Sequence, residues 1–421
     1  MPPRFQVAAV NAPRVVITGI GLWTPLGSDR ESTWQSLLAG RSASRWLTVP
    51  QWSGSPPVAG APSAIPPTTI NDGVDPVIAM ARLVSTEAIE DAGLSPQMLS
   101  QDSTGVVFGT SKGGLHTASR LLSAPSIRNE VGGPWLDVWP NSAAVAVART
   151  IGCSGPILAP VAACATGLAA CLRGYELIRD GRCEVVVAGS SDASLQPAIL
   201  GSFQRLGVLA RPTEDPATAC RPFDRDRTGF IVGEGAGCLI LESYEHAIAR
   251  GARWYAEWLG GRMLSDPSSL TQLDPQGTSL RRLLQDIAGL ANCPPDYINL
   301  HGTATRPNDR VESAAVAATF GGTVREISCS SLKGGLGHLL GAAGSVELAA
   351  TLLAIRDQIV PPTVNLCSID PELAPGINFT PRTSQQRRIE LAWKLSLGFG
   401  GHLSAACVGR LDGEGDRTTT S

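Results

Sequence analysis

The chain has 421 residues, 43 % of them hydrophobic, with 34 basic and 37 acidic side chains and a formal net charge of -3. That balance leaves no basic excess for nucleic acid, and no apolar run is long enough to span a bilayer, so a soluble protein with a large core is expected. Ten cysteines lie scattered with neither a C-x-x-C pair nor zinc-like spacing, which argues against a disulfide framework or a metal cluster and suits a reducing compartment. Residues 1–13 lack a charged region followed by an apolar core, so no secretory signal is expected and the cytoplasm is the expected location, a plastid stroma being the alternative.

Along the chain, residues 44–75 are rich in Pro and Ser and read as an irregular surface excursion. Short apolar runs at 105–109 and 157–161 read as buried strands flanking a small-residue helix over 141–150. A helix over 164–180 then leads to a strand over 184–188. The alternation returns with a helix over 278–291, a strand over 297–300, a helix over 309–320, a strand over 326–329, a helix over 342–355 and a strand over 404–409. Helices alternating with short apolar strands indicate an α/β architecture with helix-covered sheets. The two similar halves divide into 1–254 and 255–411, with 412–421 reading as a polar, mobile tail.

Cys164 sits where the apolar run Pro160-Val161-Ala162-Ala163 meets the start of a helix. An opening helix presents unpaired N–H groups and a positive dipole end, which favour thiolate over thiol, so Cys164 is a candidate nucleophile. Two histidine motifs lie far away in sequence. Asn299-Leu300-His301-Gly302-Thr303-Ala304-Thr305 reads as a strand delivering a histidine to a glycine turn, with Asn308, Asp309 and Glu312 opening the next helix. Lys333-Gly334-Gly335-Leu336-Gly337-His338 packs a lysine and a histidine into a glycine-rich loop, where the backbone can approach a ligand closely.

With these motifs, and with Arg14-Val15-Val16-Ile17-Thr18-Gly19-Ile20-Gly21, Pro222-Phe223-Asp224-Arg225-Asp226-Arg227-Thr228-Gly229-Phe230 and Gly398-Phe399-Gly400-Gly401, the chain resembles the elongating beta-ketoacyl-acyl carrier protein synthases almost end to end. The resemblance implies the thiolase fold, two pseudo-equivalent βαβαβ halves stacked as a five-layer αβαβα sandwich, and a homodimer. It implies an acyltransferase that joins an acyl group on Cys164 to malonyl-acyl carrier protein with loss of CO2. No cofactor is implied beyond the phosphopantetheine of the carrier protein, and no catalytic metal. His301 and His338, neutral, are expected to hydrogen-bond the enolate oxygen. The backbone N–H groups of Cys164 and Phe399 are expected to form an oxyanion hole. Lys333 is expected beside the first histidine, supported by Asp309, Glu312 and Glu347, and Thr303, Thr305, Phe203 and Phe399 are expected to touch the substrate.

Some residues depart from the family pattern. Such synthases often give the glutamate equivalent to Glu347 a structural monovalent cation, and Lys394 replaces a residue that helps ligate it. The expectation is that the Lys394 ammonium stands in for the ion; the alternative is that it points to solvent. The carrier-facing basic stretch retains only Arg82, and Gly207 replaces a carrier-facing arginine, with Arg205 nearby to compensate. The loop Gly109-Thr110-Ser111-Lys112-Gly113-Gly114 fits no nucleotide motif, and Lys112 reads as a surface charge. Two further readings are a non-elongating, acyl-binding partner subunit, which usually lacks the cysteine, and a degradative thiolase. The thiolase would use Cys407, but that residue lies in an apolar strand-like run.

Overall fold

In the computed structural model, residues 12–47, 58–64, 73–123, 134–211, 213–291 and 293–411 are described. The tail at 412–421 lies outside them. Ten strands form the main sheet: β1 (Val15–Trp23), β2 (Thr104–Gly109), β3 (Ile157–Leu158), β4 (Val185–Asp192), β5 (Gly235–Ser243), β6 (Ala256–Ser265), β7 (Tyr297–Asn299), β8 (Ser328–Ser330), β9 (Leu391–Gly398) and β10 (His402–Gly409). Their spatial order is β8-β7-β9-β10-β6-β1-β5-β4-β2-β3. From the centre outward, β1-β5-β4-β2-β3 and β6-β10-β9-β7-β8 repeat one topology. In each half the two outer pairings are parallel and the two inner ones antiparallel. The halves join where β1 pairs antiparallel with β6 through Val15, Val16 and Ile17.

Six long helices complete the layers: α1 (Pro76–Ala92), α2 (Ser142–Ile151), α3 (Thr166–Arg179), α4 (Thr278–Ala288), α5 (Arg306–Phe320) and α6 (Ala343–Asp357). α3 and α6 pack on each other between the two half-sheets. α1 and α2 cover the outer face of the first half, and α4, with α5 against it, covers the second. This is the five-layer α/β sandwich. Burial on every side explains why α6 reads as an almost unbroken run of small and aliphatic residues, buried from Ala343 to Ile355. The central helices cross at a pair of glycines. A Cβ on Gly344 would fall 2.2 Å from Leu168 N and one on Gly167 2.5 Å from Ser345 N, so only hydrogen fits at either position.

Several boundaries move. The strand expected over 157–161 is only Ile157–Leu158, because Ala159 onward already bends toward the nucleophile turn. The expected strand over 326–329 starts at Ser328, its first residues being taken by a 3-10 turn, Gly321–Glu326. The helix expected from residue 309 opens at Arg306, with Pro307 in its first turn, where a missing N–H costs nothing. Within 44–75, the described residues are not wholly irregular. Arg45–Leu47 pairs with Val58–Ala61, which in turn pairs parallel with Val232–Gly233 beside the His338 loop.

Candidate active site

Cys164 is the middle residue of a 3-10 turn, Ala163–Ala165, that feeds directly into α3. Ala163 is held at φ +47°, a left-handed conformation that costs a residue with a Cβ roughly 1–2 kcal/mol. Thr166 secures the turn: its hydroxyl accepts from Ala162 N and donates to Ala163 O, both at 2.8 Å. The end of β9 presses on the turn at Gly398, where a Cβ would lie 2.6 Å from Ala162 O. That approach brings the Phe399 backbone N–H to the sulfur as a hydrogen-bond donor.

The expected bias toward thiolate is overturned. Cys164 is only 8 % exposed, and burial pushes its thiol up to about 11, even though the charges of Lys112 and Lys333 and the Phe399 N–H favour the anion. Desolvation of a buried sulfur outweighs the helix start. The resting site therefore holds a protonated thiol.

β7 delivers His301 and the loop after β8 delivers His338, and the two rings stand 5.4 Å apart and nearly perpendicular. Burial first, and then the positive charge of Lys333, drives both imidazoles well below their ordinary range, so both are neutral. Leu340 N donates to His338 Nδ1 at 3.2 Å, which places the ring proton on Nε2. The edge of the Phe230 ring meets His338 at 5.0 Å, a contact that the sequence did not flag. Among the described residues His301 Nδ1 has no hydrogen-bond partner although it is buried. Its backbone is held instead: Glu312 accepts from His301 N at 2.6 Å and Gly302 N at 2.8 Å, and Lys333 Nζ donates to the His301 carbonyl at 2.6 Å.

The acidic residues divide their work differently from expectation. Only Glu347 pairs with Lys333, at 2.7 Å. Asp309 accepts from Phe223 N at 2.9 Å and pairs with the buried Arg227, which also reaches Asp370 at 2.5 Å. This ionic knot pins α5 to the loop before β5 and was not legible in the sequence. Glu312 clamps the histidine turn, and burial raises its carboxyl to about 7.

Cys164, His301, His338, Thr303, Thr305 and Phe399 converge on one cavity of about 680 Å³, with Arg211 and Arg306 also in its lining. The Thr303 and Thr305 hydroxyls lie 2.8 Å from each other. Phe203 does not line this cavity. It belongs to the apolar cluster around Cys164, with its ring 6.4 Å from that of Phe399. Cys407 lies within β10, fully buried, with its thiol pushed up to about 12, and so has no access to a substrate.

The family profile "Beta-ketoacyl synthase, N-terminal domain" matches residues 12–247, and "Beta-ketoacyl synthase, C-terminal domain" matches 255–367. The chain belongs to the beta-ketoacyl synthase family. It is 36 % identical to the tetracenomycin polyketide synthase ketoacyl synthase alpha subunit of Streptomyces glaucescens, over 94 % of this chain and 97 % of that protein. It is 35 % identical to a 3-oxoacyl-[acyl-carrier-protein] synthase 2 of Synechocystis sp., over 94 % and 98 %. Among solved structures, a beta-ketoacyl synthase from Burkholderia phymatum superposes with a TM-score of 0.85 at 31 % identity, covering 95 % of this chain and all of that one. A type II PKS acyl-carrier protein in complex with its ketosynthase superposes with a TM-score of 0.86 at 30 % identity, over 96 % of this chain and all of the other. This synthase is a condensing acyltransferase of fatty acid or polyketide synthesis with the thiolase fold.

Two further lysines border the site. Lys394, on β9, is fully buried and does not point to solvent: its Nζ lies 2.6 Å from Glu347 Oε2 while Lys333 takes Oε1. Both carboxylate oxygens thus face an ammonium, and Lys394 also donates to the Leu395 carbonyl. A monovalent cation beside Glu347 would meet two positive charges, so these residues do not fit one. Burial lowers the Lys394 ammonium to about 8 against the pull of Glu347. Lys112, expected as a surface charge, is only partly so, with 26 % of its side chain open. Its ammonium donates to Ser111 Oγ at 2.6 Å and Ser194 Oγ at 3.3 Å, and its field acts on both Cys164 and His338.

Proposed function

We propose that Cys164 carries the acyl group and that His301 and His338 stabilise the enolate of a malonyl unit. The observation that carries this reading is the convergence on one cavity of a sulfur, two neutral imidazoles and the Phe399 N–H. In the first step the Cys164 sulfur attacks an acyl thioester, its proton leaves with the departing carrier thiol, and an acyl-enzyme forms. In the second, the malonyl C–CO2 bond breaks. Its electron pair becomes an enolate whose oxygen accepts hydrogen bonds from the two imidazoles. The enolate carbon then attacks the acyl thioester. The developing oxyanion lies against the N–H groups of Cys164 and Phe399, and as it collapses the C–S bond breaks and the Cys164 thiolate leaves, taking a proton from water. Lys333 and Lys394, tied to one carboxylate, leave a net positive charge behind His301, which favours negative charge in front of it. In this reading Lys394 takes the role that a bound cation plays in relatives.

Acyl carrier protein is the partner that delivers both thioesters. Arg306 at the cavity mouth and Arg205 at the exposed end of the helix Pro197–Arg205 support its docking, since both are solvent-facing and basic. A homodimer is supported by β3, an edge strand with one open side, and by the exposure of Ile157 and Val161, 44 % and 50 %, on and just after it.

The test is a condensation assay with acyl- and malonyl-carrier protein, comparing wild type with Cys164→Ala. Product from wild type alone is the expected result. Acylation of Cys164 without carbon–carbon bond formation would instead favour the non-elongating partner subunit.

A further inference from the structure

Asp192, the last residue of β4, is buried, and both of its carboxylate oxygens are held. Oδ2 accepts from the Ser111 hydroxyl and Oδ1 from that of Ser194, and the two hydroxyls in turn accept from the Lys112 ammonium at 2.6 and 3.3 Å. The ammonium lies 3.9 Å from Oδ2, so it balances the buried charge through the serines. This closed ring orients the carboxylate. A further donor then reaches Oδ2 from the other half of the molecule: Gly341 N, at 3.0 Å.

Gly341 is the middle residue of the 3-10 turn Leu340–Ala342, whose first residue is held at φ +48°. A left-handed residue with a Cβ persists only where its surroundings over-determine it. The peptide N–H groups on either side of Leu340 are both engaged, since Leu340 N donates to His338 Nδ1 at 3.2 Å and Gly341 N donates to Asp192. With a methyl group in place of the carboxylate, Gly341 N loses its acceptor, the turn is free to relax, and Leu340 N–H swings off the ring. The imidazole is then free to carry its proton on Nδ1, which turns Nε2 from a donor into an acceptor. An acceptor facing an enolate oxygen repels it.

We propose that Asp192 is a positioning residue for His338: by holding Gly341 N it fixes the turn that aims Leu340 N at Nδ1, and so keeps the imidazole proton on Nε2, where the enolate needs it. This rests on the reading that His338 stabilises the enolate.

The experiment uses the full-length protein with isotope-labelled histidine, as wild type, Asp192→Ala and Asp192→Asn. The imidazole nitrogen NMR spectrum reads the tautomer, with the His338 signals identified by their loss in His338→Gln. Intact mass reads two steps, acylation of Cys164 by hexanoyl-N-acetylcysteamine and discharge of that acyl group by malonyl-N-acetylcysteamine. Wild type shows the Nε2–H form alone. Asp192→Ala gains the Nδ1–H form and discharges about tenfold or more slowly, toward the loss expected when an oxyanion donor is removed, while acylation is nearly unchanged. Asp192→Asn, whose side-chain oxygen still meets Gly341 N, keeps both the tautomer and the discharge rate. A wild-type His338 protonated on Nδ1 overturns the proposal whether or not the variants fold. So does a folded Asp192→Ala protein that keeps the wild-type tautomer, or one whose acylation and discharge fall together, as they would if Asp192 only held the fold. A folded Asp192→Asn protein that loses the tautomer overturns it too. Wild-type acyl-enzyme that the malonyl thioester does not discharge fells the enolate reading instead, and the spectra still decide what Asp192 does to the ring.

Discussion

The two halves of the molecule build the same turn and put different things on it. Ala163–Ala165 precedes α3 and Leu340–Ala342 precedes α6, and each is a single 3-10 turn opening a long buried helix. Their first residues, Ala163 and Leu340, hold almost the same left-handed φ, +47° and +48°. The middle residue is Cys164 in one and Gly341 in the other. The strain therefore belongs to the repeated topology and is not a device added for catalysis. Chemistry enters through one side chain. At Gly341 the side chain is excluded, because a Cβ would lie 2.7–2.8 Å from Ser111 N and Asp192 Oδ2.

Substitutions at the paired positions test that division. Cys164→Ala should lower condensation by at least about three orders of magnitude, as expected for loss of a nucleophile, with little change in melting temperature. Gly341→Ala should do the reverse in kind, costing about 1–3 kcal/mol of stability through overpacking while the folded fraction still acylates Cys164. Acylation rate by mass spectrometry and thermal melting separate the two. A Gly341→Ala protein that melts normally and takes no acyl group would show that the second turn has a chemical role of its own.

The lysine pair supplies a second contrast inside one carboxylate. Lys333 holds the His301 carbonyl as well as Glu347, whereas Lys394 bears on Glu347 and its own strand. Lys394→Met should destabilise the fold by about 3 kcal/mol, because a buried pair is broken from one side. In Lys394→Ser the vacated volume faces an anionic oxygen, and the melting temperature should rise with added potassium chloride more than with N-methylglucamine chloride. Wild type should respond equally to both salts. An equal response in the variant would mean that the ammonium replaced nothing.

What the sequence made legible follows from where the signal was local. Cys164, His301, His338 and Lys333 lie in glycine-rich stretches whose composition and order carry the family resemblance, and all four come together. The alternation of helices and strands over 105–188 and 278–355 was local too, and those elements appear with shifted ends. β1, β5, β6 and β9 were not assigned as strands. β1, β5 and β9 are buried almost throughout and β6 over its first half, Ala256–Gly260, so they lack the in–out alternation that marks a half-buried strand, and β1 and β5 carry glycines that dilute β propensity. The ionic knot at Asp309 was invisible because its partner Arg227 lies 82 residues away, and Arg227's other partner, Asp370, lies 143 residues beyond Arg227. Lys112 was misjudged for a similar reason: only the fold brings Ser194, from beyond β4, to its ammonium.

The smallest effect concerns protons, and again buried groups of one site act in opposite directions. Burial depresses His338 and His301 well below the ordinary imidazole value near 6.5. Below that pH the unfolded chain takes up protons that the folded protein refuses, so each histidine makes stability fall as pH drops through and below about 6.5. Glu312 is raised from 4.5 to about 7. Between those values the folded protein holds a proton that the unfolded chain has released, so this carboxyl makes stability rise as pH falls over the same window. The two slopes partly cancel in wild type. Denaturant unfolding from pH 7 to 5 should therefore show His338→Gln gaining stability relative to wild type as pH falls, and Glu312→Gln losing it, whatever constant offset each substitution adds. Parallel curves for His338→Gln and wild type would mean that the imidazole titrates in the folded site as it does in the unfolded chain, so that burial does not hold it neutral below about pH 6.5.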